Sequence, residues 1–148
     1  MDISHYMDPR LILFLHTQTR DETLLELVDC IYSAGKLENK ELFYNAILER
    51  EKIVSTGIGM GVAIPHAKLA FYNQFFIAIG ILQKPVNWYA LDQAPVRLVF
   101  MIGGPDDKQT EYLQILSTLT QAIKNEERRK KLLTLQNPIS IIELFETV

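Results

Sequence analysis

The sequence predicts an α/β three-layer sandwich (α+β in strict class), in which a mixed sheet is flanked by helices. Two observations support this fold class. Short apolar runs that suit strands alternate with longer stretches in which apolar residues recur at helical spacing. No repeat, low-complexity segment or linker interrupts the 148 residues, so one domain spanning residues 1–148 is expected. The predicted order is β-α-α-β-β-β-α-α-α.

The first third of the chain is predicted to form one strand and two helices. The apolar run at 11–17 suits a buried strand. Thr19 begins a capping-box pattern, which predicts a helix that ends at Gly35. Asn39 is a suitable N-cap for a second helix that runs to about Arg50.

Three strands are predicted in the middle of the chain, at 62–64, 75–82 and 96–102, because these runs are apolar and are separated by residues that favour turns. Three helices are predicted after them. Asp106 or Asp107 should open the first helix, a second should cover about 127–135, and Asn137-Pro138 should begin the third. The buried face of the first of these helices is predicted to contain Leu113, Leu116, Leu119, Thr120 and Ile123.

Composition excludes several classes of function. The protein has a net charge of −3, whereas proteins that bind nucleic acid or anionic membranes usually have basic surfaces, so neither function is expected. No apolar run approaches the roughly 18 residues of a membrane span, and the first ten residues do not resemble a signal peptide, so a cytoplasmic protein is expected. Cys30 is the only cysteine and is expected to be a buried apolar side chain, with no disulfide.

The glycines Gly57, Gly59 and Gly61 superficially resemble a phosphate-binding loop. A dinucleotide fingerprint that starts at Gly57 requires glycine where the chain has Val62. A nucleotide P-loop requires Gly-Lys followed by Ser or Thr, whereas Lys68 lies between alanine and leucine. The segment is therefore predicted to be a loop with positive backbone angles, and no bound cofactor is expected.

The three histidines do not predict a metal site. His5, His16 and His66 are dispersed along the chain, and no cluster of cysteines or carboxylates supplies further ligands. His5 is expected in a surface turn and His16 at a strand end, both with structural roles. A hydrolase triad of Ser55, His66 and Asp92 is disfavoured because no nucleophile elbow surrounds Ser55.

His66 itself is a candidate nucleophile. A neutral imidazole with a pKa near 6.5 can attack a phosphoryl group and later pass it on. Such a histidine needs a cation and hydrogen-bond donors for the phosphoryl oxygens. Arg50 could clamp these oxygens, with Ser55 and Thr56 as hydroxyl donors. The residues alone leave open the alternative that His66 is a hydrogen-bonded histidine in a turn.

These residues resemble the signature of the fructose/mannitol-type enzyme IIA domain (EIIA type 2) of the phosphoenolpyruvate-dependent sugar phosphotransferase system. The resemblance rests on Arg50-Glu51, Ser55-Thr56-Gly57-Ile58-Gly59, Gly61-Val62-Ala63-Ile64-Pro65-His66, Trp88, Asp92 and Pro95-Val96. It extends over nearly the whole chain and implies the family's three-layer sandwich. It also implies that His66 accepts a phosphoryl group from the carrier protein HPr or a paralogue, and that Arg50 lines the site. The amino-acid sequence of residues 57–68 is most similar to that of the nitrogen-regulatory branch, whose members signal through their phosphorylation state.

One position departs from the family pattern. The family usually has a second histidine, in a His-Leu pair, at the start of the long helix after the last strand, and this chain has Tyr112-Leu113 there. A tyrosine hydroxyl can donate one hydrogen bond but cannot become a cation at neutral pH. Tyr112 is therefore either a phosphoryl donor in the site or an ordinary packed aromatic.

The resemblance predicts a phosphohistidine carrier with a regulatory output. One alternative is a sugar-feeding IIA that passes its phosphoryl group to a separate IIB, and another is a IIA-fold binding module without phosphotransfer. The expected partners are an HPr-type phosphocarrier and either a regulated protein or a IIB. Nucleic acid, metal and direct membrane insertion are not expected.

Overall fold

The computed structural model describes residues 1–146, which form a six-stranded mixed sheet and five α-helices after two short 3-10 helices at Ile3–Tyr6 and Pro9–Leu11. The strands are β1 (Ile12–Leu15), β2 (Gly57–Gly59), β3 (Val62–Ala63), β4 (His66–Leu69), β5 (Phe76–Val86) and β6 (Val96–Pro105). The helices are α1 (Arg20–Ser33), α2 (Lys40–Ile53), α3 (Gln109–Lys124), α4 (Glu126–Thr134) and α5 (Pro138–Glu143).

The sheet has the order β1-β5-β6-β3-β2, and β4 pairs with β6 as a continuation of the edge that β3 begins. β5 and β6 form a long antiparallel pair, whereas β1 is parallel to β5 and both β3 and β4 are parallel to β6. The sheet is therefore mixed, as the sequence predicts.

Each face of the sheet packs against its own set of helices. Because side chains alternate along a strand, β5 directs Ile77, Ile79 and Ile81 to one apolar core and Ala78 and Leu82 to the other. The first core contains buried residues of α3, α4 and α5, and the second contains buried residues of α1 and α2. These three layers confirm the predicted fold class.

Three helices begin at the predicted caps. Thr19 Oγ1 accepts a hydrogen bond from the backbone N–H of Glu22 at 3.1 Å, and Asn39 Oδ1 accepts one from Leu42 at 3.0 Å. Asn137 caps α5 in the same way, with Pro138 at the first helical position. α2 continues to Ile53 and therefore ends beyond the predicted limit at Arg50.

The prediction for α3 is wrong in two details. The helix begins at Gln109 with Lys108 at the N-cap position, and neither Asp106 nor Asp107 caps it. Its buried face contains Tyr112, Ile115, Leu119, Ala122 and Ile123. Leu119 and Ile123 are buried as predicted. Leu113, however, is 51% exposed, and Tyr112, which is 5% exposed, takes the inward position at the start of the helix. Tyr112 faces inward because its aromatic ring packs against Phe75.

The glycine segment forms paired strands where the sequence predicted a loop. Gly59 pairs with Val62, which leaves Met60 and Gly61 as the two central residues of a β2–β3 hairpin. Both have positive φ, 60° at Met60 and 73° at Gly61, as tight hairpin turns require. β4 was also missed, because it has only four residues, directly follows Pro65 and contains no β-branched or aromatic residue apart from the imidazole of His66.

Cys30 is half-buried where a buried side chain was expected. Its thiol donates a hydrogen bond to the backbone carbonyl of Arg10 at 3.0 Å, and burial raises the pKa of this thiol. Among residues 1–146, no helix has the length and apolar character needed to cross a bilayer.

Gly103 of β6 lies where no side chain fits, and its substitution tests the packing beneath the site. A Cβ at this position would lie 2.7 Å from Phe43 Cε1 and would also overlap the ring of Phe76. Gly103→Ala is expected to lower the free energy of unfolding by about 3 kcal/mol, because two packed rings would have to move. Gly80→Ala is the control, since its Cβ would meet flexible leucine ends at 3.1 to 3.4 Å. Equal losses for the two variants in urea unfolding would contradict this packing.

Candidate functional site

His66 is the first residue of β4, and its backbone is fixed on both sides. Pro65, which precedes it, is buried, and its carbonyl accepts a hydrogen bond from Ile102 N at 3.0 Å. Ile64 N donates to Thr56 O at 3.0 Å. His66 itself lies in register with Ile102 in the parallel β4–β6 pair. The imidazole therefore projects from a paired strand and not from a turn.

The hydrogen bonds of the His66 ring determine its tautomer. Nδ1 lies 3.0 Å from the carbonyl oxygen of Ile64, and Nε2 lies 3.2 Å from Nε of Arg50. A carbonyl can only accept and a guanidinium can only donate, so Nδ1 bears the hydrogen and Nε2 presents a lone pair. This is the neutral form of the ring, with the unprotonated nitrogen facing the cation.

The surroundings of His66 lower its pKa from 6.5. Burial of the ring is the largest cause, because it disfavours the charged form, and the positive charges of Arg50 and Lys68 act in the same direction. The Ile64 hydrogen bond and the negative charge of Glu51 oppose the shift. The balance keeps the imidazole neutral and nucleophilic near pH 7.

Arg50 reaches His66 from the last turn of α2. Its Nε donates to His66 Nε2, and its Nη1 donates to the carbonyl of Val54, just after the end of the helix, at 2.9 Å. Two hydrogen bonds to different parts of the chain fix the plane of the guanidinium. The structure thus brings together Arg50 and His66, the two residues that the sequence placed at the centre of the site.

Tyr112 lies beside His66 from the first turn of α3. The two ring centroids are 5.8 Å apart, and Phe75 packs 6.1 Å from the tyrosine ring on another side. Lys68 Nζ lies 4.1 Å from the Tyr112 centroid and donates to Gln109 Oε1 at 2.7 Å. Burial raises the pKa of Tyr112, so its hydroxyl stays protonated at neutral pH.

The hydroxyl hydrogens of Ser55 and Thr56 are both engaged within the protein. Ser55 Oγ donates to Trp88 O at 2.6 Å and accepts from Gly57 N at 3.1 Å. Thr56 Oγ1 donates to Glu51 Oε2 at 2.7 Å and accepts from Trp88 Nε1 at 3.1 Å. These contacts give no support to the expectation that the two hydroxyls donate to a phosphoryl group. They place both residues in a hydrogen-bonded network next to the site, called the frame below, which also contains Glu51 and Trp88.

Glu51 is the member of this frame to which the sequence argument gave no role. Its carboxylate is 4% exposed and accepts from Thr56 N at 2.7 Å as well as from the Thr56 hydroxyl. One signal in the sequence could have identified it. A glutamate near the C-terminus of a helix is unfavourable for the helix dipole, so this position requires a compensating partner.

The hydrolase triad does not form. Both ring nitrogens of His66 have other partners, and Asp92 Oδ1 accepts from Ala94 N at 3.0 Å. Within the part of the chain that the structure describes, no three histidine, cysteine or carboxylate side chains come together in a way that could hold a metal ion.

Comparison with known proteins identifies the family. The family "Phosphoenolpyruvate-dependent sugar phosphotransferase system, EIIA 2" matches residues 5–148. This chain belongs to the EIIA type 2 family. It is thus a phosphoryl-carrying component of a phosphotransferase system.

The relatives of this EIIA chain include sugar-specific and regulatory proteins. It is 37% identical over 133 residues to the "PTS system fructose-specific EIIABC component" of Bacillus subtilis, which covers 90% of this chain and 21% of that protein. The chain thus spans about a fifth of the length of that relative. It is 30% identical over 135 residues to a "Nitrogen regulatory protein" of Bradyrhizobium diazoefficiens, which covers 89% of this chain and 86% of that protein.

A solved structure resembles the EIIA chain along almost its whole length. The nitrogen regulatory protein IIA-Ntr from Neisseria meningitidis superposes with a TM-score of 0.89 at 26% sequence identity, covering 97% of this chain and 98% of that one. The arrangement of sheet and helices is therefore that of a known EIIA-type protein.

The pKa of His66 provides a direct test of the site's electrostatics. Titration of its ring by ¹H–¹⁵N NMR should give a midpoint below 6.5, with ¹⁵N shifts that show the hydrogen on Nδ1 at neutral pH. Arg50→Met should raise this midpoint only in part, since burial is the larger cause. Because the folded-state pKa is the lower one, the His66 contribution to stability is complete above pH 6.5 and is lost as the pH falls. A wild-type midpoint at or above 6.5 would contradict this account.

The buried frame of the EIIA site can be tested at Thr56. Thr56→Val removes the hydroxyl and leaves Glu51 Oε2 and Trp88 Nε1 without that partner, which should lower the free energy of unfolding by about 3 kcal/mol. Thr56→Ser keeps the hydroxyl and should cost about 1 kcal/mol for the lost methyl group. Urea denaturation of both variants separates the two effects. Similar losses would mean that the hydroxyl is not part of the frame.

Proposed function

We propose that this EIIA chain accepts a phosphoryl group on Nε2 of His66 from an HPr-type phosphocarrier protein and passes it on or signals through it. The observation that supports this most strongly is the hydrogen-bond pattern of the ring, in which Ile64 holds the hydrogen on Nδ1 and leaves the Nε2 lone pair beside Arg50. A nucleophile needs that lone pair, and the low pKa of His66 keeps it available at neutral pH.

The transfer step exchanges one phosphorus–nitrogen bond for another. The Nε2 lone pair of His66 attacks the phosphorus of the donor's phosphohistidine, and the donor nitrogen keeps the electron pair of the bond that breaks. The acquired positive character of the ring is stabilised through the Nδ1–H bond to Ile64 O. Nothing is oxidised or reduced, and the reverse reaction with an acceptor follows the same path.

We assign to Arg50 the role of stabilising the phosphoryl oxygens. Its Nε–H currently points at the nitrogen that reacts, so the guanidinium must turn from Nε2 to the oxygens as the new bond forms. Its bond to the Val54 carbonyl keeps it close while it turns. The planar fork of arginine suits two phosphoryl oxygens at once. In this proposal Ser55, Thr56 and Glu51 hold the loop between α2 and β2 in place.

The output that we favour is regulatory, as in the nitrogen-regulatory branch, because IIA-Ntr superposes over nearly the entire length of both chains. The second candidate is a sugar-feeding carrier with a separate IIB, and the 37% identity to a fructose-specific protein favours it. Transfer from phosphorylated chain to a purified IIB would support the second candidate. The expected cytoplasmic location and the single-domain organisation stay predictions.

Phosphoryl labelling tests the acceptor. Incubation of the chain with phosphoenolpyruvate, enzyme I and the cognate carrier should yield one acid-labile, base-stable phosphate. His66→Ala should abolish it, because the substitution removes the nitrogen that is proposed to react. His5→Ala and His16→Ala are matched controls, since both residues are exposed and should leave labelling unchanged. Labelling of His66→Ala at the wild-type rate would refute the proposal and favour a binding module without phosphotransfer.

Arg50 variants test the stabilising role. Arg50→Ala should reduce the rate of phosphoryl acceptance by on the order of a hundredfold, the typical loss when one hydrogen-bond donor that stabilises the transition state is removed. Arg50→Lys should also be impaired, because an ammonium cannot replace the two-donor fork. Stopped-flow or quenched labelling gives the rates, and circular dichroism checks the fold. Wild-type rates in a folded Arg50→Ala protein would remove Arg50 from the mechanism.

A further inference from the structure

Lys68 shares a face of β4 with His66. Side chains two positions apart on a strand point in the same direction, and their Cα atoms lie about 6.6 Å apart. Ala67, between them, packs into the core formed with α1 and α2. His66 and Lys68 therefore both project away from that core, towards the start of α3, where Tyr112 and Gln109 lie.

The resting position of Lys68 is defined by two contacts. Its ammonium lies 4.1 Å from the centroid of Tyr112, a distance at which the electron-rich face of the ring attracts a cation, and it donates to the side-chain oxygen of Gln109 at 2.7 Å. Neither partner carries a negative charge. The ammonium is thus held beside the site, at the surface, by a ring and an amide, and among residues 1–146 it forms no ion pair with a carboxylate.

We propose that Lys68 is a second cation of the phosphoryl site, held on the face of Tyr112 until His66 is phosphorylated and then drawn to a phosphoryl oxygen. This inference deepens the proposed function and depends on it. Lysine has a flexible four-carbon stem, which lets the ammonium leave Gln109 while its backbone stays in the β4–β6 pair. In this proposal the phosphoryl group extends from Nε2 of His66 into the space between Arg50 and Lys68.

The charges favour this movement. A phosphoryl group on nitrogen brings about two negative charges to a site in which the His66 residue is half-buried. Arg50 supplies one positive charge beside Nε2, and Lys68 is the other cation whose field lowers the pKa of His66. An ammonium that exchanges a neutral amide for a dianion gains a charge-assisted hydrogen bond.

This inference assigns Tyr112 a positioning role. Its ring is close to both groups, 5.8 Å from the His66 ring and 4.1 Å from the Lys68 ammonium. The aromatic face, and not the hydroxyl, is what holds the cation. Phenylalanine retains such a face, although with a weaker attraction, whereas leucine does not.

The experiment measures the equilibrium of phosphoryl exchange between the phosphorylated carrier and the EIIA chain, using ³²P label and purified proteins. Lys68→Met should lower the equilibrium fraction of phosphorylated His66 about tenfold, since a charged hydrogen bond to the phosphoryl group is lost. Lys68→Arg, which restores the charge, should recover most of it. Lys84→Met is the control, because this exposed lysine of β5 should leave the equilibrium unchanged.

Substitutions of Tyr112 test its positioning role in the same assay. Tyr112→Leu should lower the equilibrium more than Tyr112→Phe does. NMR provides an independent readout, because the ε-methylene signal of Lys68 should lose the upfield ring-current shift of Tyr112 when His66 is phosphorylated.

The outcomes separate the two proposals. If wild-type chain takes no label on His66, the proposed function fails. If wild-type chain is labelled but Lys68→Met stays within twofold of it, the function stands and the role of Lys68 is refuted. If Tyr112→Phe and Tyr112→Leu lower the phosphoryl-exchange equilibrium equally, the hydroxyl of Tyr112 is the group that acts, and the role of its aromatic face is refuted.

Discussion

The parallel pairing of β4 with β6 is the constraint on which the site depends. It places His66 opposite Ile102 and fixes the backbone from which the imidazole projects. The bond from Ile102 N to Pro65 O then fixes the residue before it, so that the Ile64 carbonyl meets Nδ1. Every later feature follows from this geometry, because the tautomer of a histidine is set by the partner of its other nitrogen. A ladder of backbone hydrogen bonds thereby selects which nitrogen is available for chemistry.

A buried set of hydrogen bonds holds the end of α2 near this strand. Glu51 and Thr56 lie on the two sides of the turn that follows α2, and the bonds between them, together with Trp88, are buried. A buried carboxylate is costly unless it is hydrogen-bonded, and here both of its oxygens accept hydrogen bonds. These hydrogen bonds offset the cost of burying the carboxylate, and they hold the end of α2, from which Arg50 projects, against the segment that leads to β2. The resemblance to the EIIA signature therefore includes residues that support the site as well as residues that face it.

The sequence predicted the three layers of the fold, the helix caps at Thr19, Asn39 and Asn137, and the proximity of Arg50 to His66. These predictions depend on apolar periodicity, capping residues and a family signature, which can all be read from short stretches of sequence. It missed β2, a three-residue strand with two glycines in a local hairpin with β3, and β4, whose partner β6 is distant in the chain. It also placed Leu113 on the buried face of α3, where the structure has Tyr112, because the tyrosine ring packs against Phe75. The engagement of the Ser55 and Thr56 hydroxyls was not predictable, because their partners Trp88 and Glu51 are defined only by the fold.

The departure at Tyr112 changes the electrostatics of the site without leaving it short of charge. An imidazole at this position could titrate near neutral pH, whereas the phenol, with its pKa raised by burial, stays neutral. The positive charge beside His66 then comes from Arg50 and Lys68. Neutral His66 therefore rests in a field that disfavours its protonation and favours an incoming dianion. A site built in this way should respond to a phosphoryl group more than to pH, as the proposed regulatory output requires.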